Sequence, residues 1–427
     1  MFDFIRNCFA ECGGRVTTDS RAIKGGEMFI ALTGENFDGN DYAEKAIQAG
    51  AQYAVIKRGS ACAGYPGTLE VDDPFEVLRQ LAIYNRKRFG IPVIGLTGTN
   101  GKTTTKELIR AVLAKKYNVV ATEGNLNNDI GVPLSLLKIR HDTEVAVIEM
   151  GASHPGDIKK LVDVAQPDMG LVTNVGRAHL EGFGSFEGVK ATKGELYDFL
   201  AAADAPVFLN EADEDLKAMA AERVGVSLVP YGVGYDDVEL LPSTAEEPFL
   251  RFNIEGKTVS TKLVGSYNIA NALAAICVGR YFEVPLDDAI AAIQEYTPSN
   301  SRSQRVQTER NTLIVDAYNA NPSSMTAAIE NFALIDAPMK LALLGEMREL
   351  GQSAGEEHRA IVELLRSRGI EAMLVGEEFE KAAAGAFKVF ASSDELAAEL
   401  DAARLEGRTI LVKGSHSTHM EKVVKSL

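Results

Sequence analysis

The chain has 427 residues, of which 46% are hydrophobic and 24% are charged, and its formal net charge is −16. This length allows about two to four domains, each with its own hydrophobic core. The acidic balance argues against general nucleic-acid binding and against adhesion to anionic membranes, because both require basic surfaces. Anionic small molecules are not excluded, since a local cradle of donors can bind them.

Several classes of protein are disfavoured by simple patterns. Charged residues interrupt the first 20 residues, so no signal peptide is predicted, and no run of about 18 apolar residues predicts a membrane span. The cysteines form no CxxC pair and no zinc-finger spacing. We therefore expect reduced thiols in a cytoplasmic protein. The four cysteines are Cys8, Cys12, Cys62 and Cys277.

The chain begins with a segment, residues 1–89, that mixes short apolar runs with glycine turns and predicts a small α/β unit. Its last element is a helix over 75–89, which ends at Gly90. The next segment opens with an apolar run over 91–96, which predicts a buried strand. A glycine-rich turn and a helix over 103–117 follow.

Strands and helices then alternate, which is typical of a parallel sheet covered on both faces. Residues 224–264 favour short strands in an antiparallel extension. We predict strands over 145–148 and 170–173, and helices over 157–164, 186–203, 267–281 and 286–296.

After Pro298 a third α/β unit is predicted, with the pattern of a Rossmann-like domain of six or fewer strands. The predicted strands are 312–316, 340–344, 371–375, 387–390 and 409–412. The expected domains are therefore 1–89, 90–298 and 299–427.

The strongest local motif lies between the strand that ends near Leu96 and the helix that follows it. Residues 98–105 read GTNGKTTT. Backbone N–H groups of such a loop and of a helix N-terminus can bind phosphate oxygens, with Lys102 as the cation and the Thr103 hydroxyl on Mg²⁺. The usual first glycine would stand at position 96, which is Leu96, so this is a variant phosphate loop. The sequence predicts that a nucleoside triphosphate binds to Gly98, Thr99, Asn100, Gly101, Lys102, Thr103 and Thr104.

Residues 98–106 resemble the ATP loop of the Mur ligases, which build the peptide stem of bacterial cell-wall precursors. The resemblance extends over nearly the whole chain, because further family motifs follow in the same order. Similar strings are TDSR at 18–21, GNLNNDIGVP at 124–133, EMGA at 149–152, TNVGRAH at 173–179, KGE at 193–195, DAYNANP at 316–322 and LGEMRELG at 344–351.

The resemblance implies an α/β protein of three domains: a small UDP-sugar domain, a central phosphate-loop ATPase domain with a parallel sheet, and a C-terminal Rossmann-like domain. It implies that ATP phosphorylates a substrate carboxylate and that an amine displaces the phosphate to form an amide. The DAYNANP and LGEMRELG strings resemble the family member that adds D-alanyl-D-alanine to a UDP-N-acetylmuramoyl-tripeptide. A monomer without nucleic-acid or membrane partners is expected.

Two Mg²⁺ ions are implied by the same resemblance, with Thr103, Glu149, His179 and Lys193 as ligands. Lys193 would bind as a carbamate, since an ammonium repels a cation and a carbamate supplies anionic oxygens. Carbamylation requires the neutral amine, which burial or nearby cations favour. The implied catalytic residues are Lys102, Lys193, His179 and Glu149.

The remaining implied contacts fall into two groups. Outside the phosphate loop, those assigned to ATP are Asn268, Asn271, Arg302 and Asp316. Those assigned to the substrates are Ser20, Arg21, Asn127, Asn128, Ser153, Asn319, Asn321, Lys413 and Ser415. The chain departs from the family at Tyr267, where a histidine is usual, and at His416, where an arginine is usual.

Three alternatives stay open on the sequence. The sister ligase that adds a diamino acid shares the TDSR string, but its expected Asp-Asn-Pro-Arg string is absent from this chain. A nucleotide-gated switch protein would leave the motif around Lys193 without a purpose. A folyl- or polyglutamyl-type ligase would leave the TDSR string without one.

Overall fold

The computed structural model of the protein describes residues 1–242, 248–298, 304–337 and 339–427. The chain forms two compact units. The first contains Met1–Leu96, Tyr117–Gly151 and Ile158–Gly170, and the second contains Thr97–Lys116, Ala152–Asp157 and Leu171–Leu427.

The N-terminal segment is the small α/β fold that the sequence predicts. Its sheet has the order β1-β2-β5-β6 with every pair parallel, and β3 and β4 form a separate antiparallel pair. The elements are α1 (Phe2–Glu11), β1 (Val16–Thr17), β2 (Met28–Ile30), β3 (Thr33–Gly34), β4 (Phe37–Asp38), α2 (Ala43–Gln48), β5 (Tyr53–Lys57), β6 (Thr68–Val71) and α3 (Pro74–Phe89).

Helix α3 shows why the sequence signals at its two ends are reliable. The Asp73 carboxylate accepts a hydrogen bond from the Phe75 N–H at 2.9 Å, and Pro74 occupies the first helical turn. Gly90 ends the helix with φ of 61°, a left-handed conformation that glycine adopts without a Cβ clash. These local interactions fix the helix ends independently of tertiary packing.

The central segment contains a six-stranded sheet with the order β12-β11-β10-β7-β9-β8. The pairs β7–β9, β8–β9 and β11–β12 are parallel, and β7 and β9 are fully buried, as expected from their continuous apolar runs. The elements are β7 (Val93–Thr97), α4 (Lys102–Leu113), β8 (Val119–Ala121), α5 (Gly131–Leu136), β9 (Val145–Glu149), α6 (Asp157–Ala165), β10 (Met169–Val172), α7 (Leu180–Phe183), α8 (Phe186–Ala202), β11 (Pro206–Asn210), α9 (Glu214–Ala221) and β12 (Ser227–Tyr231).

The prediction for residues 224–264 is correct in part. Strands β13 (Glu239–Leu241), β14 (Phe249–Ile254) and β15 (Lys257–Val264) form the antiparallel extension. Strand β12, however, pairs in parallel with β11, because the direction of a short edge strand depends on its partner and not on its own pattern. Two helices follow, α10 (Ile269–Tyr281) and α11 (Leu286–Glu295).

The third segment has a six-stranded sheet with the order β16-β17-β21-β18-β19-β20. Its edge strand β16 runs antiparallel to β17 and was not predicted, because its sequence QRVQ has a single apolar residue. The elements are β16 (Gln304–Gln307), β17 (Thr312–Asp316), α12 (Pro322–Leu334), β18 (Lys340–Gly345), α13 (Ala354–Ser367), β19 (Glu371–Val375), α14 (Glu377–Ala383), β20 (Lys388–Phe390), α15 (Ser393–Ala403) and β21 (Thr409–Lys413).

Two general expectations concern the whole chain. Across the described ranges, no helix combines the length and the apolar character needed to cross a membrane. The four cysteines are free thiols, and Cys8, Cys12 and Cys277 are buried. Burial raises the pKa of the Cys12 thiol to about 11, so this thiol is a poor nucleophile at neutral pH.

We expect acid to destabilise the third segment through His358. This fully buried imidazole accepts a hydrogen bond from the Met347 N–H at 3.0 Å and bonds to the Ala354 carbonyl, and burial lowers its pKa. The unfolded chain therefore binds a proton that the folded chain does not, so stability falls as pH drops below about 6.5. Thermal unfolding at pH 7.5 and 5.5 should show a smaller loss in His358→Gln than in the wild type. Equal losses would contradict this assignment.

Candidate active site

The phosphate loop joins the end of β7 to the start of α4, as predicted. Gly98 has φ of 147°, and a Cβ there would lie 2.0 Å from Thr173 Oγ1 and 3.0 Å from the Thr173 nitrogen. Gly101 has φ of 76°, and a Cβ there would lie 2.6 Å from Asn271 Oδ1. Glycine is therefore required at both positions by backbone conformation and by space.

The loop is held by the segment that follows β10. The Thr99 N–H donates to the Asn174 carbonyl at 3.0 Å, and the Asn100 N–H donates to Asn174 Oδ1 at 2.9 Å. Thr173 Oγ1 donates to the Asn100 carbonyl at 2.7 Å. Thr173 and Asn174 were not among the predicted site residues, although they begin the TNVGRAH string and could have been selected from it.

Lys102 lies at the first position of α4, and its ammonium folds back over the loop. Its Nζ donates to the carbonyls of Gly98 and Thr99 at 2.8 and 2.9 Å. The cation is thus held over the turn whose N–H groups and helix N-terminus favour an anion. Binding of a triphosphate at this loop stays a prediction.

Asn268 and Asn271 form a buried polar network beneath the loop. Asn271 Nδ2 donates to Asn268 Oδ1 at 2.9 Å, and Thr105 Oγ1 donates to Asn271 Oδ1 at 2.9 Å. Asn268 Nδ2 donates to the Val264 carbonyl at 2.8 Å. Asn271 therefore ties α10 to the phosphate loop and α4, a role that sequence analysis did not foresee.

Lys193 is buried in α8, with 2% of its surface exposed, and its Nζ lies 5.4 Å from the Phe183 ring centroid. Burial, reinforced by the charge of Lys102, holds the pKa of Lys193 well below its ordinary value. Lys190 stands one turn earlier and is ion-paired with Asp215 at 2.7 Å, and hydrogen bonding to Asp215 raises its pKa. The pKa values of Lys190 and Lys193, one turn apart in α8, are thus shifted in opposite directions.

His179 follows β10 and adopts a left-handed conformation with φ of 50°. Its Nδ1 meets a carboxylate oxygen of Glu349 as an ion-pair contact rather than as an aligned hydrogen bond. Burial lowers the pKa of His179, and the charge of Glu349 opposes this shift. Glu349 was not among the site residues predicted from the sequence.

Glu149 is the last residue of β9 in the first unit, and 1% of its surface is exposed. Asn127 Nδ2 donates to its Oε1 at 2.8 Å, and its own N–H donates to Thr122 Oγ1 at 3.0 Å. Two predicted site residues, Glu149 and Asn127, are therefore in direct contact. Asn128 instead accepts hydrogen bonds from the N–H groups of residues 130 and 131 through its Oδ1, which fixes the start of α5.

Of the other predicted substrate residues of the N-terminal and central segments, Arg21 is exposed, and Ser20 and Ser153 are partly buried. Arg21 donates from Nε and Nη2 to the two Asp19 carboxylate oxygens, both at 2.9 Å, and Ser20 precedes it in the same short turn. The Ser153 N–H donates to Asp157 Oδ2 at 3.1 Å.

In the third segment the predicted residues gather at the carboxyl ends of β17 and β21. Asp316 and Lys413 are partners in the sheet register, and Lys413 Nζ donates to Asp316 Oδ2 at 2.5 Å and to the Asn319 carbonyl at 3.2 Å. Ser415 Oγ accepts from the Arg348 N–H at 3.0 Å. Arg302 lies outside the described residues.

Asn321 connects this region to the phosphate loop. Its Oδ1 caps α12 by accepting from the Ser324 N–H at 2.9 Å, while its Nδ2 donates to Asn100 Oδ1 at 2.8 Å. Two residues separated by 221 positions thus join the ATP loop to the DAYNANP string.

The described residues of the site do not include a preformed cluster of metal-ligating side chains. The described portion of the chain contains no group of three or more His, Cys, Asp or Glu side chains able to hold a metal ion.

Gly98→Ala should weaken nucleotide binding by at least about tenfold, since the new Cβ would displace Thr173 and the loop with it. Binding of a fluorescent ADP analogue measures this. Gly90→Ala is the matched control, because Gly90 also has positive φ, at 61°, but has no neighbour within 4 Å of its Cβ position. Equal weakening in both variants would indicate general destabilisation and would contradict a specific role for the contact with Thr173.

The loop, the strand before it and the helix after it define a phosphate-loop nucleotide-binding protein. Comparisons with known proteins agree with this class and narrow it. Three family models match the chain: the Mur ligase family catalytic domain over 15–94, the Mur ligase middle domain over 96–279 and the glutamate ligase domain of Mur ligases over 301–416. The chain belongs to the Mur ligase family.

Particular relatives are similar over almost the full length. The UDP-N-acetylmuramoyl-tripeptide–D-alanyl-D-alanine ligase of Bacillus subtilis is 34% identical, over 96% of this chain and 92% of that protein. A crystal structure of MurF from Acinetobacter baumannii matches with a TM-score of 0.87 and 30% identity, covering 97% and 93% of the two chains. MurF from Thermotoga maritima in complex with ADP matches with a TM-score of 0.84 and 28% identity, covering 96% of each chain.

Proposed function

We propose that this protein is an ATP-dependent ligase that joins D-alanyl-D-alanine to the terminal carboxylate of a UDP-N-acetylmuramoyl-tripeptide, a step of peptidoglycan precursor synthesis. The names of the similar proteins support this activity. The observation that carries it in the structure is the contact of Asn100 with Asn321, which brings the ATP loop against the DAYNANP string. Both strings are thereby available to one reaction.

The proposed reaction consists of two successive displacements. A carboxylate oxygen of the tripeptide attacks the γ-phosphorus of ATP, and ADP leaves, giving an acyl phosphate. The amine nitrogen of the dipeptide then attacks the acyl carbon, and the tetrahedral intermediate expels inorganic phosphate and releases a proton. Most of the catalysis consists of positioning and of neutralising phosphate charge.

Lys102 and the N-terminus of α4 would stabilise the β- and γ-phosphates, on the evidence of the lysine's position over the loop. Gly98, Thr99, Asn100, Gly101, Thr103 and Thr104 would contribute the rest of the phosphate site. Asn268, Asn271, Arg302 and Asp316 remain the predicted contacts to the other parts of ATP. Asn271 donates one amide hydrogen to Asn268 and accepts from Thr105, so its second amide hydrogen would be available to a ligand.

Two Mg²⁺ ions would be held by Thr103, Glu149, His179 and a carbamylated Lys193, and would neutralise the charge of the phosphates. These residues fit the group, since hydroxyl and carboxylate oxygens suit Mg²⁺ and the amine of Lys193 is buried with a lowered pKa.

The substrates would be bound in separate places. Ser20 and Arg21 would hold the uridine diphosphate, and Asn127, Asn128 and Ser153 the sugar or peptide. The D-alanyl-D-alanine dipeptide would be bound by Asn319, Asn321, Lys413 and Ser415. The proposed protein is a cytoplasmic monomer with domains over 1–89, 90–298 and 299–427.

A substrate screen tests the proposal. Purified protein with ATP should release phosphate only when the UDP-N-acetylmuramoyl-tripeptide and D-alanyl-D-alanine are both present. L-lysine or meso-diaminopimelate offered with the corresponding dipeptide precursor should give no product. Product formation with either diamino acid would instead support the sister ligase, and phosphate release without a peptide would support a nucleotide switch.

A further inference from the structure

The sheet of the third segment changes the side of its connections at β21. Strand β21 lies between β17 and β18, and the three strands are parallel. Helices α12 and α13, which follow β17 and β18, pack on one face of this sheet, whereas α15 and the final turns Met420–Ser426 pack on the other face. In α/β folds such a change of face leaves a crevice for ligands at the carboxyl ends of the strands. The residues that follow β17, β18 and β21 therefore line a candidate crevice.

The proposed dipeptide ends in a carboxylate, which a protein binds with a cation or with several hydrogen-bond donors. Among the four residues proposed for the dipeptide, Lys413 is the only cation, and 1% of its surface is exposed. Its Nζ donates to Asp316 Oδ2 and to the Asn319 carbonyl. Because the charge of Lys413 is already neutralised inside the fold, binding of the dipeptide carboxylate calls for a further cation in the crevice.

Arg348 lies just beyond the end of β18, at the same edge of the sheet. Its N–H donates to Ser415 Oγ at 3.0 Å, and the Ser415 N–H donates to the Glu346 carbonyl at 3.4 Å. These two bonds hold the segment after β18 against the segment after β21. The Arg348 side chain is 61% exposed. Its guanidinium is thus accessible to a ligand held beside Ser415.

Glu346 orients this guanidinium. The Glu346 side chain is 6% exposed, and its Oε1 forms an ion pair with Arg348 Nη2 at 2.6 Å. Its other oxygen, Oε2, accepts from the Glu378 N–H at 3.2 Å, and a Cβ on Gly376 would lie 2.5 Å from it. A guanidinium has five N–H donors, so an ion pair through one nitrogen leaves donors for a ligand. Arg348 is therefore a cation that is oriented before the ligand arrives.

We propose that Arg348 binds the C-terminal carboxylate of the dipeptide and thereby selects acceptor amines that carry a free carboxylate. This inference deepens the proposed function and rests on it for the identity of the acceptor. Hydrogen bonds between a guanidinium and a carboxylate are about twice as strong as those between neutral groups. An acceptor that ends in a carboxamide lacks the negative charge, so it should be used less efficiently.

Arg368 provides a matched control in the same segment. It also forms an ion pair through Nη2, with Glu330 at 3.7 Å, and it is half exposed. Because Arg368 precedes β19, it lies at the amino end of the parallel strands, away from the crevice. Arg348→Gln and Arg368→Gln therefore each remove one positive charge from the third segment, but only the first removes it from the crevice.

The experiment compares D-alanyl-D-alanine with its C-terminal amide as acceptors, with full-length protein, ATP and the UDP-N-acetylmuramoyl-tripeptide. The readout is the ratio of the two kcat/KM values, in which a general loss of activity or of folded protein cancels. We expect the wild type and Arg368→Gln to prefer the free carboxylate by about 10- to 100-fold. In Arg348→Gln the two acceptors should differ by less than about threefold, with the KM for ATP unchanged.

Equal use of the two acceptors by the wild type would overturn the proposal. Full preference in Arg348→Gln would also overturn it, since another group would then bind the carboxylate. The same loss in Arg368→Gln would indicate a general effect of charge, and a raised KM for ATP alone in Arg348→Gln would assign the guanidinium to phosphate; either result refutes the proposed contact.

Arg348→Gln leaves the buried Glu346 carboxylate without its ionic partner, which could prevent folding. In that case the double variant Glu346→Gln/Arg348→Gln replaces the ion pair by two neutral side chains, and it should show the same loss of preference. Retained preference in the folded double variant would refute the proposal. Ligation of neither acceptor by the wild type would instead refute the proposed function itself, so the two failures are distinguishable.

Discussion

Lys102→Ala should reduce ligation by at least about 10³-fold while the protein remains folded. Lys102 supplies the cation over the phosphate loop, and removing a preorganised charge from a developing phosphate transition state has effects of this order. Initial rates of ADP release with both peptide substrates measure the loss. Thermal unfolding should shift only slightly, because the ammonium is bound to loop carbonyls rather than packed in a core.

Lys115→Ala is the control for this variant. Lys115 lies just beyond α4 and is paired with Glu295 at 2.7 Å on the surface, so its removal deletes the same side chain outside the site. Lys115→Ala should keep near-normal activity, since exposed ion pairs contribute little to the stability of the fold. Near-normal turnover in Lys102→Ala would refute the assignment of the phosphate loop.

Lys193→Ala should lower activity by more than about 10²-fold, and a small carboxylate such as acetate should restore part of it. The reason is that a carbamate on Lys193 would supply anionic oxygen to Mg²⁺, and a free carboxylate can occupy the vacated space. Lys193→Glu should retain partial activity, because it carries an anion on a shorter stem. Activity is measured with and without added acetate, and ¹³C-bicarbonate labelling followed by NMR detects the carbamate directly.

Lys190→Ala serves as the comparison on the same helix. Lys190 is one turn from Lys193, but hydrogen bonding to Asp215 raises its pKa and keeps it charged. It should be almost fully active and insensitive to acetate. If Lys193→Arg were fully active and acetate had no effect on Lys193→Ala, Lys193 would act as a simple cation. The carbamate hypothesis would then be refuted.

Features with local causes were predictable from the sequence. The ends of α3 follow from Asp73, Pro74 and Gly90, whose effects act within one turn. The phosphate loop follows from glycines between an apolar run and a helix. The buried strands β7 and β9 follow from continuous apolar runs, which are typical of parallel strands covered on both faces.

Other features required the fold. Strand β16 has too few apolar residues to be recognised, and it exists because β17 offers an open edge. The sequence also predicted that Asn271 contacts ATP. It could not show that Thr105 and Asn268 form hydrogen bonds with the Asn271 side chain. Such networks join residues far apart in the chain and leave no periodic pattern.

The sequence by itself determined the order of three α/β segments, the phosphate loop and the motifs that place the chain among the Mur ligases. Only the tertiary structure decided which side chains meet: Asn100 with Asn321, Arg177 with Glu357 and His179 with Glu349. The physical reason is the separation along the chain over which each kind of interaction acts. Capping, turn geometry and hydrophobic periodicity act over a few residues, whereas these pairs span 170 positions or more and form only after separate sheets and loops have packed.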